Sequence, residues 1–284
     1  MKKKTKMNFW LAFLALALSL SAITFATAKI LRPKSAGTTA AGEQNRSNVP
    51  RSNRSAYVRR GQLSPRLAMN LGALGSRLEK PGKERLTLMG TLRAAAAETR
   101  EFAATLEFPE KLRLVVGGPK NRVVTFDGQQ ADAAGAPPTA DELDLIETLA
   151  YDSAEHFFAA QMQGNAMRFL GTRFRTDDGS TPDYNGPYFD IYKIADQIKV
   201  SGQERAAKLY YFNSDTLLLE RVAYVTNRDG AEINVETKLT DWRVVDGQQV
   251  AHRIERVENG QPVFVLNIRS AGLGRRAEDG IFAH

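Results

Sequence analysis

The residues after Ala206 alternate apolar and polar side chains in stretch after stretch, and each stretch ends in a turn signal. The signals are Asn213-Ser214-Asp215, Asn227-Arg228-Asp229-Gly230, Asp246-Gly247 and Asn259-Gly260. Period-2 alternation places one set of side chains on one sheet face, and Asn-Gly or Asp-Gly supplies the positive φ of tight hairpins. Ile233, Val235, Thr237 and Leu239 alternate in this way with Asn234, Glu236 and Lys238. The pattern predicts a long antiparallel meander, oily on one face and wet on the other. Such a sheet must cover its oily face with a core or with a ligand.

Earlier in the chain the same periodicity gives strands at 85–92, 101–108, 111–116, 122–126, 166–174 and 188–194. With 206–212, 216–225, 231–239, 250–257 and 262–270 the count is eleven. Two helices interrupt them. Ser64 suits an N-cap and Pro65 a first helical position, with Leu67, Leu71, Leu74 and Leu78 on one face and Lys80-Pro81-Gly82 as the stop. Thr139 and Glu142 form a capping-box pair, with Leu143, Ile146, Ala150 and Phe157 along one face and Gly164 at the end. Nothing has a βαβ rhythm. The expected fold is mainly β with helices: an open, strongly curved antiparallel sheet of about eleven strands, a half-barrel, covered by one or two helices.

The ends of the chain bear on where it works. Lys2, Lys3, Lys4 and Lys6 precede an apolar run from Phe9 to Ile23, and Ala26-Thr27-Ala28 has the small residues of a cleavage site. Residues 1–28 therefore read as a signal peptide cleaved after Ala28, and the protein as periplasmic. The alternative is an inner-membrane anchor over residues 8–28. Residues 29–60 carry eight basic residues against Glu43 alone and almost no large apolar residue, which describes a basic disordered linker. The net charge of +7 thus resides at the N-terminus. With four lysines in residues 1–28 and +7 in residues 29–60, residues 61–284 are mildly acidic, and the basic pI gives no reason to expect nucleic acid. The chain has no cysteine, so disulfides and a cysteine-linked lipid anchor are excluded. Three regions follow: 1–28, 29–60 and a folded domain over 61–284.

Catalytic chemistry finds little support. There is no G-x-S-x-G, no P-loop and no HExxH. Among the three histidines, His156 reads as a helix-surface or cap residue, His252 as part of a solvated strand face among Arg253, Glu255 and Arg256, and His284 is terminal. Asp177, Asp178, Asp183 and Asn185 could together hold a hard cation but lack EF-hand spacing, and the same residues build ordinary loops. The expectation is no enzyme, no metal and no cofactor. The apolar face offers more. Leu86, Leu88, Leu92, Phe102, Leu106, Phe108 and Leu114 fall on one face of neighbouring strands and are the candidate lipid-binding residues. A filled core is the competing reading of the same residues.

The segments Tyr210–Arg221, Glu236–Gly247 and Ala251–Ile254, with the closing Glu278–Ala283, carry a resemblance. In layout the likeness spans residues 64–284. It resembles the outer-membrane lipoprotein-sorting, LolA/LolB-like superfamily, whose strands end in comparable turns. Ala251 stands where that pattern often has proline. The resemblance implies a half-barrel with a helical lid that holds lipid or lipoprotein acyl chains, works in the periplasm and needs no cofactor. The alternative within the same superfamily is a sensor or adaptor that binds an envelope protein partner, tethered by an uncleaved N-terminal helix.

Overall fold

The computed structural model describes residues 63–75, 84–95, 97–108, 111–117, 121–162, 166–174, 187–195, 199–200, 203–204, 206–276 and 280–282. These belong to one compact unit, Asn53–His284. The expected signal peptide and linker, the Asp177–Asn185 cluster, Leu78, Gly164 and His284 lie outside the described residues.

Helix α1 spans Pro65–Leu74. The Ser64 hydroxyl accepts from the Leu67 N–H at 3.4 Å, and Leu67, Leu71 and Leu74 are buried. The helix stops at Gly75, which takes a positive φ of 95° and donates its N–H to the Gly72 carbonyl, before the Lys80-Pro81-Gly82 signal is reached. The long helix expected from Thr139 divides in two. Helix α2 spans Ala140–Tyr151 and α3 spans Ala154–Met162. The capping box forms: Thr139 Oγ1 accepts from the Glu142 N–H at 3.3 Å, and Glu142 Oε2 accepts from the Thr139 N–H at 2.8 Å. Ser153 then caps α3, its hydroxyl accepting from the His156 N–H at 3.1 Å. A capping serine offers the chain an alternative to continuing the first helix. Ile146, Ala150 and Phe157 are buried as the periodicity predicts, but Leu143 is 40% exposed and Leu145 packs inward.

The strands are β1 (Glu84–Ala94), β2 (Arg100–Glu107), β3 (Lys111–Val116), β4 (Arg122–Phe126), β5 (Ala131–Ala133), β6 (Ala166–Phe174), β7 (Tyr188–Ala195), β8 (Lys199–Val200), β9 (Gln203–Glu204), β10 (Lys208–Asn213), β11 (Leu219–Arg228), β12 (Ala231–Val245), β13 (Gln248–Glu258) and β14 (Gln261–Arg275). Twelve of them form one open sheet in the order β5-β4-β3-β2-β1-β14-β13-β12-β11-β10-β7-β6, and β8 and β9 form a separate hairpin. Every pairing is antiparallel. The sheet therefore has one strand more than the eleven expected: β5 is too short to show an alternation. Residues 216–218, expected in a strand, form a turn in which Leu217 takes a φ of 62°.

The last strand makes the sheet continuous. β14 pairs along the whole of β1, from Glu84↔Arg275 to Ala94↔Phe264, and joins the N-terminal strands to the C-terminal meander. A register shift lies at Met89/Gly90. One face of the sheet carries the core. Helices α1, α2 and α3 contribute Leu67, Leu145, Leu149, Phe157 and Phe158 to the same apolar cluster as Leu88, Leu106, Tyr210, Phe212 and Leu266. Phe157 is the hub of the aromatic part, with ring centroids 4.8–5.4 Å from Phe158, Tyr192, Tyr210 and Phe212. Edge-to-face and tilted packing of this kind adds to the area buried.

Candidate functional site

Beneath the junction of α2 and α3 a hollow of about 40 Å³ remains. Its walls are strands β1, β2, β12 and β13, and its ceiling is Thr148, Leu149, Asp152, Ser153 and Glu155. This has room for roughly three water-sized groups. Four of the seven candidate residues, Leu86, Leu88, Leu106 and Phe108, line it. Leu92, Phe102 and Leu114 are buried in the apolar cluster and do not line the hollow.

The other wall escaped the sequence reading. Leu239, Trp242, Val250, Ala251 and Ile254 come from β12 and β13. Strict alternation from Leu239 would turn Trp242 to the opposite face. Asp241, however, takes a positive φ of 54°, and the pairing passes from Thr240↔Arg253 to Trp242↔Ala251 without an Asp241–His252 partnership. A left-handed residue rotates the strand locally, and Leu239 and Trp242 both line the hollow. The signal available in the sequence was the aspartate, a residue type that tolerates this conformation. The Trp242 Nε1–H is buried and has no hydrogen-bond partner among the described residues. An unmade buried hydrogen bond costs about 1–3 kcal/mol.

The ceiling is held down by charge. Lys208, which is 1% exposed, donates to Glu147 and to Asp152 of the helix pair. The second Asp152 oxygen accepts from the Thr237 hydroxyl at 2.6 Å. The Lys208 ammonium also lies 4.3 Å from the centre of the Tyr224 ring. Arg256, equally buried, donates to Asp144 at 3.1 Å, to Glu258 at 2.9 Å, to the Tyr224 hydroxyl at 3.0 Å and to Thr148 at 3.3 Å. Arg228 reinforces the same carboxylates, at 2.9 Å from Asp144 and 3.0 Å from Glu258. The inner face of β10–β13 is thus not uniformly oily. Lys208, Thr237 and Arg256 occupy it and clasp α2. His252 and His156 are buried as well. His252 Nδ1 lies 3.0 Å from the Val250 carbonyl, and the His156 ring stands edge-on to Tyr151 at 4.9 Å, so neither occupies the surface position expected of it. A smaller clasp holds α1: buried Asp190 pairs with Arg66 and accepts from the Thr172 hydroxyl at 2.6 Å.

These clasps shift the groups beside them. Burial pushes the Asp144 carboxyl above its ordinary range against the pull of Arg256 and Arg228. Burial, then the charge of Asp190, pushes Tyr192 up to about 12, and burial with the charges of Asp152 and Glu147 pushes Tyr224 well above its usual value of 10.0. The folded protein holds both phenolic protons more tightly than the unfolded chain does. The stability they confer is complete below pH 10 and is lost as the pH rises above it, toward about 12 for Tyr192. Thermal melts over that window should fall steeply for the wild type. Tyr192→Phe and Tyr224→Phe should each flatten the fall, and identical pH profiles for all three proteins would contradict the assignment.

No helix among the described residues is long and apolar enough to cross a membrane, and no group of three or more metal-ligating side chains is found among them. No protein-family model matches the chain, and no curated protein matches it. Solved structures do. A LolA superfamily protein from Nitrosomonas europaea is 11% identical, with 76% of this chain and 97% of that one covered and a TM-score of 0.49. An outer membrane lipoprotein-sorting protein domain from Vibrio parahaemolyticus is 10% identical over 77% of this chain and 94% of that one, with a TM-score of 0.44. The MucA/MucB complex of Pseudomonas aeruginosa contains a chain that is 13% identical over 76% of this chain and 60% of its own, with a TM-score of 0.25.

Proposed function

We propose that this is a periplasmic, non-enzymatic protein that binds acyl chains beneath the α2–α3 helix pair. The observation that supports it is an apolar hollow roofed by helices whose seating depends on buried ion pairs as well as on oily contact. Separating the roof from the sheet returns Lys208, Arg256, Asp144 and Asp152 to water. The hydration regained offsets most of the attraction lost, because buried ion pairs contribute little net stability. The apolar walls, in contrast, would be left wet at about 25 cal/mol per Å². An acyl chain cancels that cost by covering them. With the roof down the hollow admits only a few groups, so a full chain enters as the helix pair lifts.

Two measurements test the reading. Protein purified without detergent should release lipid into an organic extract, detected by mass spectrometry. Ala251→Leu adds about three carbon atoms to the wall and should fill the hollow. Its stability should fall by no more than about 1–3 kcal/mol, while affinity for a phospholipid with a fluorescent acyl chain falls at least about tenfold. Unchanged affinity in this variant, with no lipid in the extract, would sink the carrier reading and leave the protein-binding adaptor.

A further inference from the structure

We propose that Trp242 reads the linkage of the acyl ligand: its indole N–H donates to the carbonyl oxygen of a neutral ester, so the hollow selects esterified acyl chains over free fatty acids. The inference rests on acyl binding beneath α2–α3 and adds the chemical class of the ligand. Its first support is the unpartnered donor. Trp242 lines the hollow, and its Nε1–H is buried without a partner among the described residues. An indole nitrogen only donates, so whatever satisfies it must accept. Nearly all buried polar groups in folded proteins are satisfied, which makes this donor the natural place for a ligand oxygen.

The second support is charge. Among the described residues, the ionisable side chains lining the hollow are Asp152 and Glu155, and no lysine, arginine or histidine lines it. Asp152 has both oxygens engaged, one by Lys208 and the other by Thr237. A fatty-acid carboxylate would enter a poorly solvated space in which no described lining side chain is a cation, and desolvation opposes that. An ester carbonyl brings the acceptor without the charge. Its methylenes would then lie against Leu86, Leu88 and Leu106.

The test uses the purified full chain with N-phenyl-1-naphthylamine as a neutral apolar probe, displaced at pH 8 by methyl laurate, laurate or the hydrocarbon tridecane. Methyl laurate should displace the probe at a concentration about tenfold below that needed for laurate. Because an ester is also the more apolar ligand, the decisive comparison is Trp242→Phe. That variant should weaken methyl laurate about tenfold, leave laurate and the hydrocarbon unchanged, and melt within a few degrees of the wild type. Equal weakening of all three ligands, or no weakening of the ester, overturns the role of Trp242 while acyl binding stands. Failure of every ligand to displace the probe overturns acyl binding itself, and this inference with it.

Discussion

Lys208→Met is expected to destabilise the protein by about 3–5 kcal/mol, the usual result of removing one partner from a buried ion pair. The ammonium is enclosed, and the Asp152 side chain that it serves is fully buried. Without Lys208 that carboxylate keeps, among the described side chains, the hydrogen bond from the Thr237 hydroxyl, and Glu147 loses its bond from Lys208. Methionine fills the space of the lysine stem, so the loss isolates the charge rather than the packing. For a domain of this size the midpoint should drop by roughly 10 °C. Adding Asp152→Asn removes the stranded charge, and the double variant should recover a substantial part of the loss. A single variant within about 1 kcal/mol of wild type, measured by urea unfolding at neutral pH, would mean that the helix pair is seated by its apolar contacts alone.

The second large effect lies in the seam between the first and last strands. Gly90→Ala is expected to cost about 3 kcal/mol, the upper part of the range for overpacking. A Cβ built there would meet the Asn267 carbonyl oxygen at 2.0 Å and the Ile268 Cα at 2.9 Å. Both obstacles are backbone, so no rotamer change relieves them. Relief requires β1 and β14 to part at the register shift that Gly90 occupies. Gly274→Ala, farther along the same strand pair, has nothing within 4 Å of its added methyl group and should fall within about 0.5 kcal/mol of wild type. Equal stability of the two variants would show that the seam is loose enough to absorb a methyl group.

The features legible in the sequence are those that a few neighbouring residues decide. Thr139 and Glu142 form the capping box they spell, and Ser64 caps α1. The turns at Asp229-Gly230, Asp246-Gly247 and Asn259-Gly260 all take positive φ at both residues, from 49° to 80°. Hairpins follow from those turns, and an open antiparallel sheet follows from hairpins. The lipid-facing candidates were legible only as an oily face. Alternation says which residues leave water; it does not say whether a helix, a strand or a ligand replaces the water. That choice is made where distant segments meet. The β1–β14 pairing places Gly90 beside Asn267, and the break at Ser153 sets α2 so that Glu147 and Asp152 reach Lys208. The left-handed Asp241 brings Trp242 to the hollow. A caps-and-turns reading treats Lys208 and Arg256 as solvated charges in an alternating strand, because their partners at the α2–α3 helix pair lie more than fifty residues away along the chain. Local free energies of about 1 kcal/mol set the elements. Burial of those charges is affordable only once the tertiary structure has brought their counter-charges within hydrogen-bond distance.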